Sequence, residues 1–184
     1  DWVKKLKDKQ VVAHGSDFGF TQDPTTLVST IVDTQNKELW IYDEYYQRGM
    51  LTDDIYQMYI DKGLKNVEII ADSAEKRLIT EIKRKGISNI KPSVKGQGSI
   101  MQGVQFIQGF KIYVHPSCEH TIEELNTYTF DQDKDGNWLN KPIDENNHIL
   151  DALRYSLEKF HFPRNNKTNV NIKKNISRAK AMGL

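Results

Sequence analysis

"VVAHGSDFGFTQDPTTLVSTIVDTQNKELWIYDEYY", residues 11–46, holds three apolar runs separated by two polar turns. The first run, VVAHGSDFG (11–19), is short and rich in small and β-branched side chains, the signature of a buried strand. TTLVSTIVD (25–33) and ELWIYDEYY (38–46) alternate apolar and polar residues, and TQNK (34–37) between them is a turn. Three strands so closely joined predict an antiparallel meander.

Beyond the meander the period changes. TDDIYQMYIDKG (52–63) predicts a helix with Thr52 as N-cap, acids in its first turn and Gly63 closing it. NVEIIAD (66–72) returns as a strand, and AEKRLITEIKRKG (74–86) is a second helix with Leu78, Ile79 and Ile82 on one face. Strand NIKPSV (89–94), helix SIMQGVQFIQG (99–109), strand KIYVH (111–115) and a helix over EHTIEELNTY (119–128) follow. A polar excursion, TFDQDKDGNWLNKPID (129–144), precedes a last helix that begins in NNHILDALRY (146–155). The order βββ-α-β-α-β-α-β-α, hairpin, α predicts an α/β protein: three antiparallel strands followed by parallel βα units, in one mixed sheet with helices on both faces. That is the arrangement of the ribonuclease H-like fold.

The chain has 184 residues, 38% of them hydrophobic, enough for one core and a tail and too few for a second full domain. No apolar run is long enough to cross a bilayer, and DWVKKLKDKQ at the start is not a signal peptide, so the chain reads as a fragment of a larger, non-membrane protein. Cys118 is the single cysteine, with no second thiol for a disulfide or a metal, which fits a reducing compartment. The net charge of +1 is unevenly placed: residues 163–184 carry six basic and no acidic side chains, leaving residues 1–162 at −5. The division is a folded body, 1–162, and a basic flexible tail, 163–184, suited to phosphate or to a partner, or serving as a solvated linker.

Asp17 lies near the C-terminal end of the first strand and Asp72 at that of the fourth. On parallel neighbours about 4.8 Å apart, both carboxylates emerge at one sheet edge. Asp151 stands three residues after His148, on the same face of the last helix, and can lean over that edge. Three carboxylates converging without basic partners repel one another unless a divalent cation neutralises them. Oxygen ligands favour Mg²⁺ or Mn²⁺, and the imidazole tilts the choice toward Mn²⁺. Other readings stand beside this one: Asp17 as a turn former, Asp72 as a helix cap with Glu75 as rival ligand, and His148 as a structural histidine.

Two motifs mislead. DQDKDG (131–136) resembles a calcium loop, but the twelfth position is Pro142 where a glutamate is required, so it reads as a hairpin tip. KGQGSI (95–100) lacks the GxxxxGK[ST] of a phosphate loop. Lys95, Gly96 and Ser99 at a helix start still suit one DNA phosphate, or a plain helix cap.

DFGFTQDPTT, IIADSAE, KGQGSI followed by GVQF, and NNHILDALRY, in this order and spacing, resemble the C-terminal nuclease domain of the large terminase subunit of tailed double-stranded DNA bacteriophages. The resemblance covers roughly residues 10–160. It implies a ribonuclease H-like endonuclease cutting concatemeric viral DNA during packaging in the cytoplasm of an infected bacterium. Asp17, Asp72 and Asp151 then match the acidic triad, and His148 the histidine before the last acid. It further implies two Mg²⁺ or Mn²⁺ ions ~3.5–4 Å apart clamping the scissile phosphate, Asp17 bridging them, and His148 as outer ligand or proton carrier. The implied partners are double-stranded DNA, an N-terminal ATPase motor domain absent from this sequence, the small terminase subunit and the portal protein. Lys173 and Lys174 of the tail join Lys95, Gly96 and Ser99 as DNA contacts.

Rival readings are a ribonuclease H or junction resolvase of the same superfamily, a non-catalytic DNA-binding module, and half of an actin-like ATPase, whose first phosphate loop DFGFTQDPTT also resembles.

Overall fold

The computed structural model describes residues 2–8, 10–94, 96–143 and 145–161. After a short helix α1 (Trp2–Lys7), the meander forms as β1 (Val11–Asp17), β2 (Thr25–Asp33) and β3 (Glu38–Gln47). The βα units follow as α2 (Thr52–Asp61), β4 (Ile69–Ala71), α3 (Lys76–Lys85), β5 (Ile90–Pro92), α4 (Ser99–Gln108), β6 (Lys111–Val114) and α5 (Glu119–Thr127). A hairpin, β7 (Phe130–Gln132) and β8 (Trp138–Pro142), leads to α6 (His148–Ser156) and a single turn α7 (Glu158–His161). The mixed α/β architecture is the one expected. Lys95, Lys173, Lys174 and the whole 163–184 tail lie outside the described residues.

The main sheet runs β5-β4-β1-β2-β3-β6. β1, β2 and β3 are antiparallel, while β4 pairs with β1 and β5 with β4 in parallel. β6 crosses to the opposite edge and pairs in parallel with β3. One face carries Ala13, Val28 and Val32 against Ile149, Ala152 and Leu153 of α6. The other carries Leu27, Ile69 and Ile90 against Ile55 and Tyr59 of α2 and Ile79 and Ile82 of α3. Helices thus cover both faces, as a sheet with parallel strands requires.

Two local expectations are corrected. β2 does not alternate: all nine of its residues are buried. Its hydroxyls are tolerated inside because each is bonded, Thr25 Oγ1 donating to the Gly19 carbonyl, Thr30 Oγ1 to that of Ala13, and Ser29 Oγ meeting His14 Nδ1 at 2.9 Å. Thr52 is not the N-cap of α2. Leu51 holds that position, and its N–H donates to Asp54 Oδ2 at 2.8 Å, while Thr52 turns its hydroxyl to Glu81. Cys118 is fully buried, with its thiol pushed up to about 11 by burial, a core side chain. Among the described residues no helix is long and apolar enough to cross a membrane.

α6 lies directly on β1. A Cβ on Gly15 would stand 1.9 Å from the Ala152 carbonyl oxygen and 2.6 Å from the Ser156 nitrogen, so only glycine permits this approach. The contact sets the height of α6 above the end of β1.

Candidate active site

Asp17 is the last residue of β1. Ser16 pairs with Ala71 across the parallel ladder, and the Asp72 N–H donates to the Ser16 carbonyl at 3.0 Å. Asp17 and Asp72 therefore leave neighbouring strands at one edge. Asp72 is buried, its Oδ1 accepting the Ala74 N–H at 3.1 Å, so it also shapes the turn into α3. Glu75, the rival ligand, is exposed at the start of α3.

His148 opens α6, and Asp151 follows one turn later. His148 Nδ1 lies 3.2 Å from Asp17 Oδ2, and Nε2 lies 3.5 Å from Asp23 Oδ1. Asp17, Asp23, His148 and Asp151 all line one cavity of about 460 Å³. Burial pushes the Asp17 carboxyl above its ordinary range; the hydrogen bond from His148 opposes this, and the charges of Asp151 and Asp72 add to it. His148 is raised in turn, chiefly by its bond to Asp17, against burial. The phenol of Tyr155 is raised by burial first and then by Asp151, Asp17 and Asp72, so all three acids act on one point.

The expectation that the carboxylates lack basic partners is wrong for Asp151. Arg154 Nη2 sits 2.7 Å from Asp151 Oδ1, in an i, i+3 pair. Arg154 is held there by close packing on α4, where a Cβ on Gly103 would meet its Cγ at 2.4 Å. Among the described residues no group of three or more His, Cys, Asp or Glu is arranged to hold a metal ion. In the structure Arg154 engages Asp151, and the His148 ring is turned onto Asp17.

Asp151 and Arg154 also border a second cavity, of about 520 Å³, lined as well by Gly98 and Ser99 at the start of α4 and by Lys141 and Pro142 of β8. Ser99 Oγ lies 3.5 Å from the Gly96 N–H, so it bonds its own loop. The hairpin tip is tied by Asp133 Oδ1, which accepts the N–H of Asp135 and of Asn137, each at 2.9 Å. That arrangement is a turn and uses the carboxylate internally, in line with the rejected calcium reading.

Residues 17–159 match the family described as terminase RNAseH like domain. The chain belongs to this family. It is 34% identical over 165 residues to the PBSX phage terminase large subunit of Bacillus subtilis (strain 168), covering 87% of this chain and 38% of that relative. The chain thus spans well under half of the curated relative's length. Among solved structures, the g2p (large terminase) nuclease domain from bacteriophage SPP1 with bound Mn matches with a TM-score of 0.79 at 24% identity, over 85% of this chain and 90% of that one. The large terminase nuclease from thermophilic phage G20c with bound magnesium matches with a TM-score of 0.56 at 20% identity, over 82% of each. These two likenesses show the fold. The terminase-family match begins at Asp17 itself and takes in Asp72, His148 and Asp151.

Two glutamates of the terminase domain escaped the sequence reading. Glu124 of α5 is buried, and its two oxygens accept the Ile149 and Leu150 N–H groups at 3.1 and 3.0 Å. Burial pushes its carboxyl up to about 7, against those two bonds. Glu44 of β3 accepts the N–H groups of His120 and Thr121 at the start of α5, each at 2.9 Å. Neither has a local sequence signal, because each reaches a helix far along the chain.

Proposed function

We propose that this domain is the nuclease of a phage large terminase: a metal-dependent endonuclease that hydrolyses phosphodiester bonds of double-stranded DNA and cuts concatemeric viral DNA during packaging. The observation that carries the reading is the meeting of Asp17 with His148 and Asp151 around one acidic cavity, in a chain of this family. The donor set fits a hard divalent cation. Asp17 is buried and repelled by Asp151 and Asp72, and a cation relieves that repulsion. Asp17, Asp72 and Asp151 would hold Mg²⁺ or Mn²⁺, two ions in the active complex, with His148 as an outer donor. The Mn and Mg of the SPP1 and G20c structures agree with that choice. Such ions supply an activated water and neutralise charge on the phosphate.

The chain's own residues prepare the rest. Asp17 Oδ2 accepts from His148 Nδ1, while Nε2 stands 3.5 Å from Asp23 Oδ1, so the ring is held between two carboxylates and would serve either as the outer donor or as the carrier of a proton from the attacking water. The water oxygen bonds to phosphorus, the P–O3′ bond breaks, and the 3′-oxygen is protonated from solvent. Arg154 donates to Asp151 Oδ1 at 2.7 Å, which leaves Oδ2 for a ligand role. The glycine-rich start of α4, with Lys95, Gly96 and Ser99, would take a neighbouring phosphate, and Lys173 and Lys174 of the basic tail would add sequence-independent attraction. The natural setting is an N-terminal ATPase motor joined to this domain, working with the small subunit and the portal in the host cytoplasm.

Incubating the protein with supercoiled plasmid, an RNA–DNA hybrid and a branched duplex, each with Mn²⁺, Mg²⁺ or chelator, tests the reading. Metal-dependent nicking and linearisation of the plasmid is expected. Cutting confined to the hybrid or the branch, or no cutting with either metal, would overturn it.

A further inference from the structure

The helix that carries His148 and Asp151 is held at its N-terminus by a residue of another helix. The first turn of any α-helix leaves backbone N–H groups without intrahelical partners. In α6 the N-cap, Asn147, makes no side-chain capping bond. Glu124 supplies the acceptors, Oε1 to the Ile149 N–H and Oε2 to the Leu150 N–H. Ile149 and Leu150 are the two residues between His148 and Asp151. Two oxygens of one rigid carboxylate, each on a successive N–H, fix the rotation of the helix about its axis as well as its end. A hydroxyl cap accepting one bond leaves that rotation free.

Other contacts fix other coordinates. Gly15 sets the height of α6 over β1, and Thr26 Oγ1 donates to the His148 carbonyl at 3.0 Å. α5, which bears Glu124, is seated by the same device: Glu44 accepts the His120 and Thr121 N–H groups and the Thr121 hydroxyl, the last at 2.6 Å. The sheet therefore reaches α6 through two successive carboxylate clamps, β3 to α5 and α5 to α6. Burying a carboxylate is costly, and Asn147, a residue type that caps helix ends by itself, stands at position 147 without making the bond. What the buried glutamate adds is a defined azimuth for the side chains at 148 and 151.

We infer that Glu124 is a positioning residue, setting the rotation of α6 so that His148 meets Asp17 and Asp151 faces the same cavity. The consequence for cutting rests on the nuclease reading; the positioning does not. The test uses metal-free protein of the full 184-residue chain, ¹⁵N-labelled at histidine, with the His148 ring signals identified by their loss in His148→Ala. Glu124→Gln keeps shape but turns an amide NH₂ toward one of the two N–H groups. Its His148 ring signals should leave their parent positions and the nuclear Overhauser contact from that ring to the Asp17 methylene should weaken, while the His14 signals stay; moved signals with that contact intact are the effect of the lost Glu124 charge alone and overturn the proposal. In Mn²⁺ its kcat on plasmid should fall roughly 10- to 100-fold with KM unchanged, the size expected for reacting groups held out of line. Glu158→Gln is the control, a second buried glutamate that accepts a backbone N–H, from Val94 at 2.6 Å, away from the first turn of α6. It should lower the melting temperature and leave the His148 signals in place.

Unmoved His148 signals in Glu124→Gln, or equal movement in Glu158→Gln, overturn the proposal. If Glu124→Gln does not fold, Glu44→Gln, which loosens α5, must move the same signals; if they stay, the proposal falls. A parent protein that cuts no DNA defeats the nuclease reading instead, and the signals alone then decide the positioning.

Discussion

His148 Nδ1 and Asp17 Oδ2 stand 3.2 Å apart across 131 residues of chain, one at the start of α6 and the other at the end of β1. Neither element determines the meeting alone. It exists because α6 crosses the sheet over β1, where the parallel β1–β4 pair also delivers Asp72. Replacing Asp17, Asp72 or Asp151 singly with Asn should abolish plasmid nicking with the circular dichroism spectrum unchanged. Asp17→Asn should also raise the melting temperature of the metal-free protein, since the buried carboxylate and its repulsion by Asp151 and Asp72 disappear. Full nicking in any two of the three variants would remove the acids from the chemistry. His148→Ala should slow nicking less than Asp151→Asn.

Gly15→Ala should be among the most damaging single-methyl additions in the protein. The new Cβ meets backbone of α6 at 1.9 Å, which cannot swing aside like a side chain end. Overpacking commonly costs ~1–3 kcal/mol, and a backbone clash belongs at or above the upper end of that range. Urea unfolding should show it as a lower midpoint, and any folded fraction should have lost metal-dependent nicking because α6 is lifted off Asp17.

The Arg154–Asp151 pair gives a prediction with opposite signs in two conditions. Arg154→Ala leaves Asp151 partly buried without its cation and empties the space against Gly103. Removing one partner of a buried pair costs up to ~3–5 kcal/mol, and less here because both side chains retain some exposure. The metal-free variant should melt well below the parent. Added Mn²⁺ should then raise its melting temperature more than it raises the parent's, because the ion replaces a missing positive charge. Equal increments would show that the ion does not take the place of Arg154 beside Asp151.

These contacts also mark where sequence reading stops. The meander was legible because strand-forming runs are cut by polar turns, and the helices because their ends carry acids and glycines, as at Gly63. The sheet-edge acids were legible because a βα unit must return parallel to its neighbour, which brings Asp72 beside Asp17. β2 was misread because Thr and Ser look solvent-facing until their bonds to the Gly19 and Ala13 carbonyls are seen. The place of β6 beside β3 was open, since a crossover strand can join either edge. Arg154 sits three residues from Asp151, within the helical spacing rule, so that pair is legible in the sequence. Glu124 and Glu44 act over 25 and 77 residues on backbone N–H groups, which carry no side-chain signature.

Acid should unfold the protein partly through His14, far from the candidate site in role. It is buried, bonded to Ser29, and lowered to about 4 by burial, with Lys7 and Lys159 adding to the effect. Because the folded form binds this proton less readily than the unfolded chain, the stability due to neutral His14 is complete above pH ~6.5 and is lost as pH falls toward 4. The full effect is roughly 3 kcal/mol, since each tenfold loss of proton affinity on folding is worth ~1.4 kcal/mol. His14→Gln, which keeps a neutral polar group facing Ser29, should flatten the fall in urea midpoint between these limits. A curve parallel to the parent's would assign the acid sensitivity elsewhere.

The hairpin of β7 and β8 gives the last prediction. An excursion from Thr129 to Ile143 orders many residues while Trp138 and Leu139 stay exposed, and α5 and α6 needed a far shorter link. Its base is tied by the Ile143 N–H donating to the Thr129 carbonyl, and Lys141 and Pro142 line the same cavity as Asp151 and Arg154. A hairpin in that position narrows the way to Asp151 for a stiff duplex more than for a single strand. Replacing the segment between Phe130 and Ile143 by an Asn-Gly turn should therefore raise the nicking rate on duplex DNA or shift the preference between single and double strands. Mn²⁺ affinity, read by calorimetry, should stay at the parent value, because Asp17, Asp72, His148 and Asp151 all lie outside the deleted stretch. Unchanged rate and unchanged strand preference would make the hairpin a passive insertion; a loss of Mn²⁺ binding would mean instead that it braces α6.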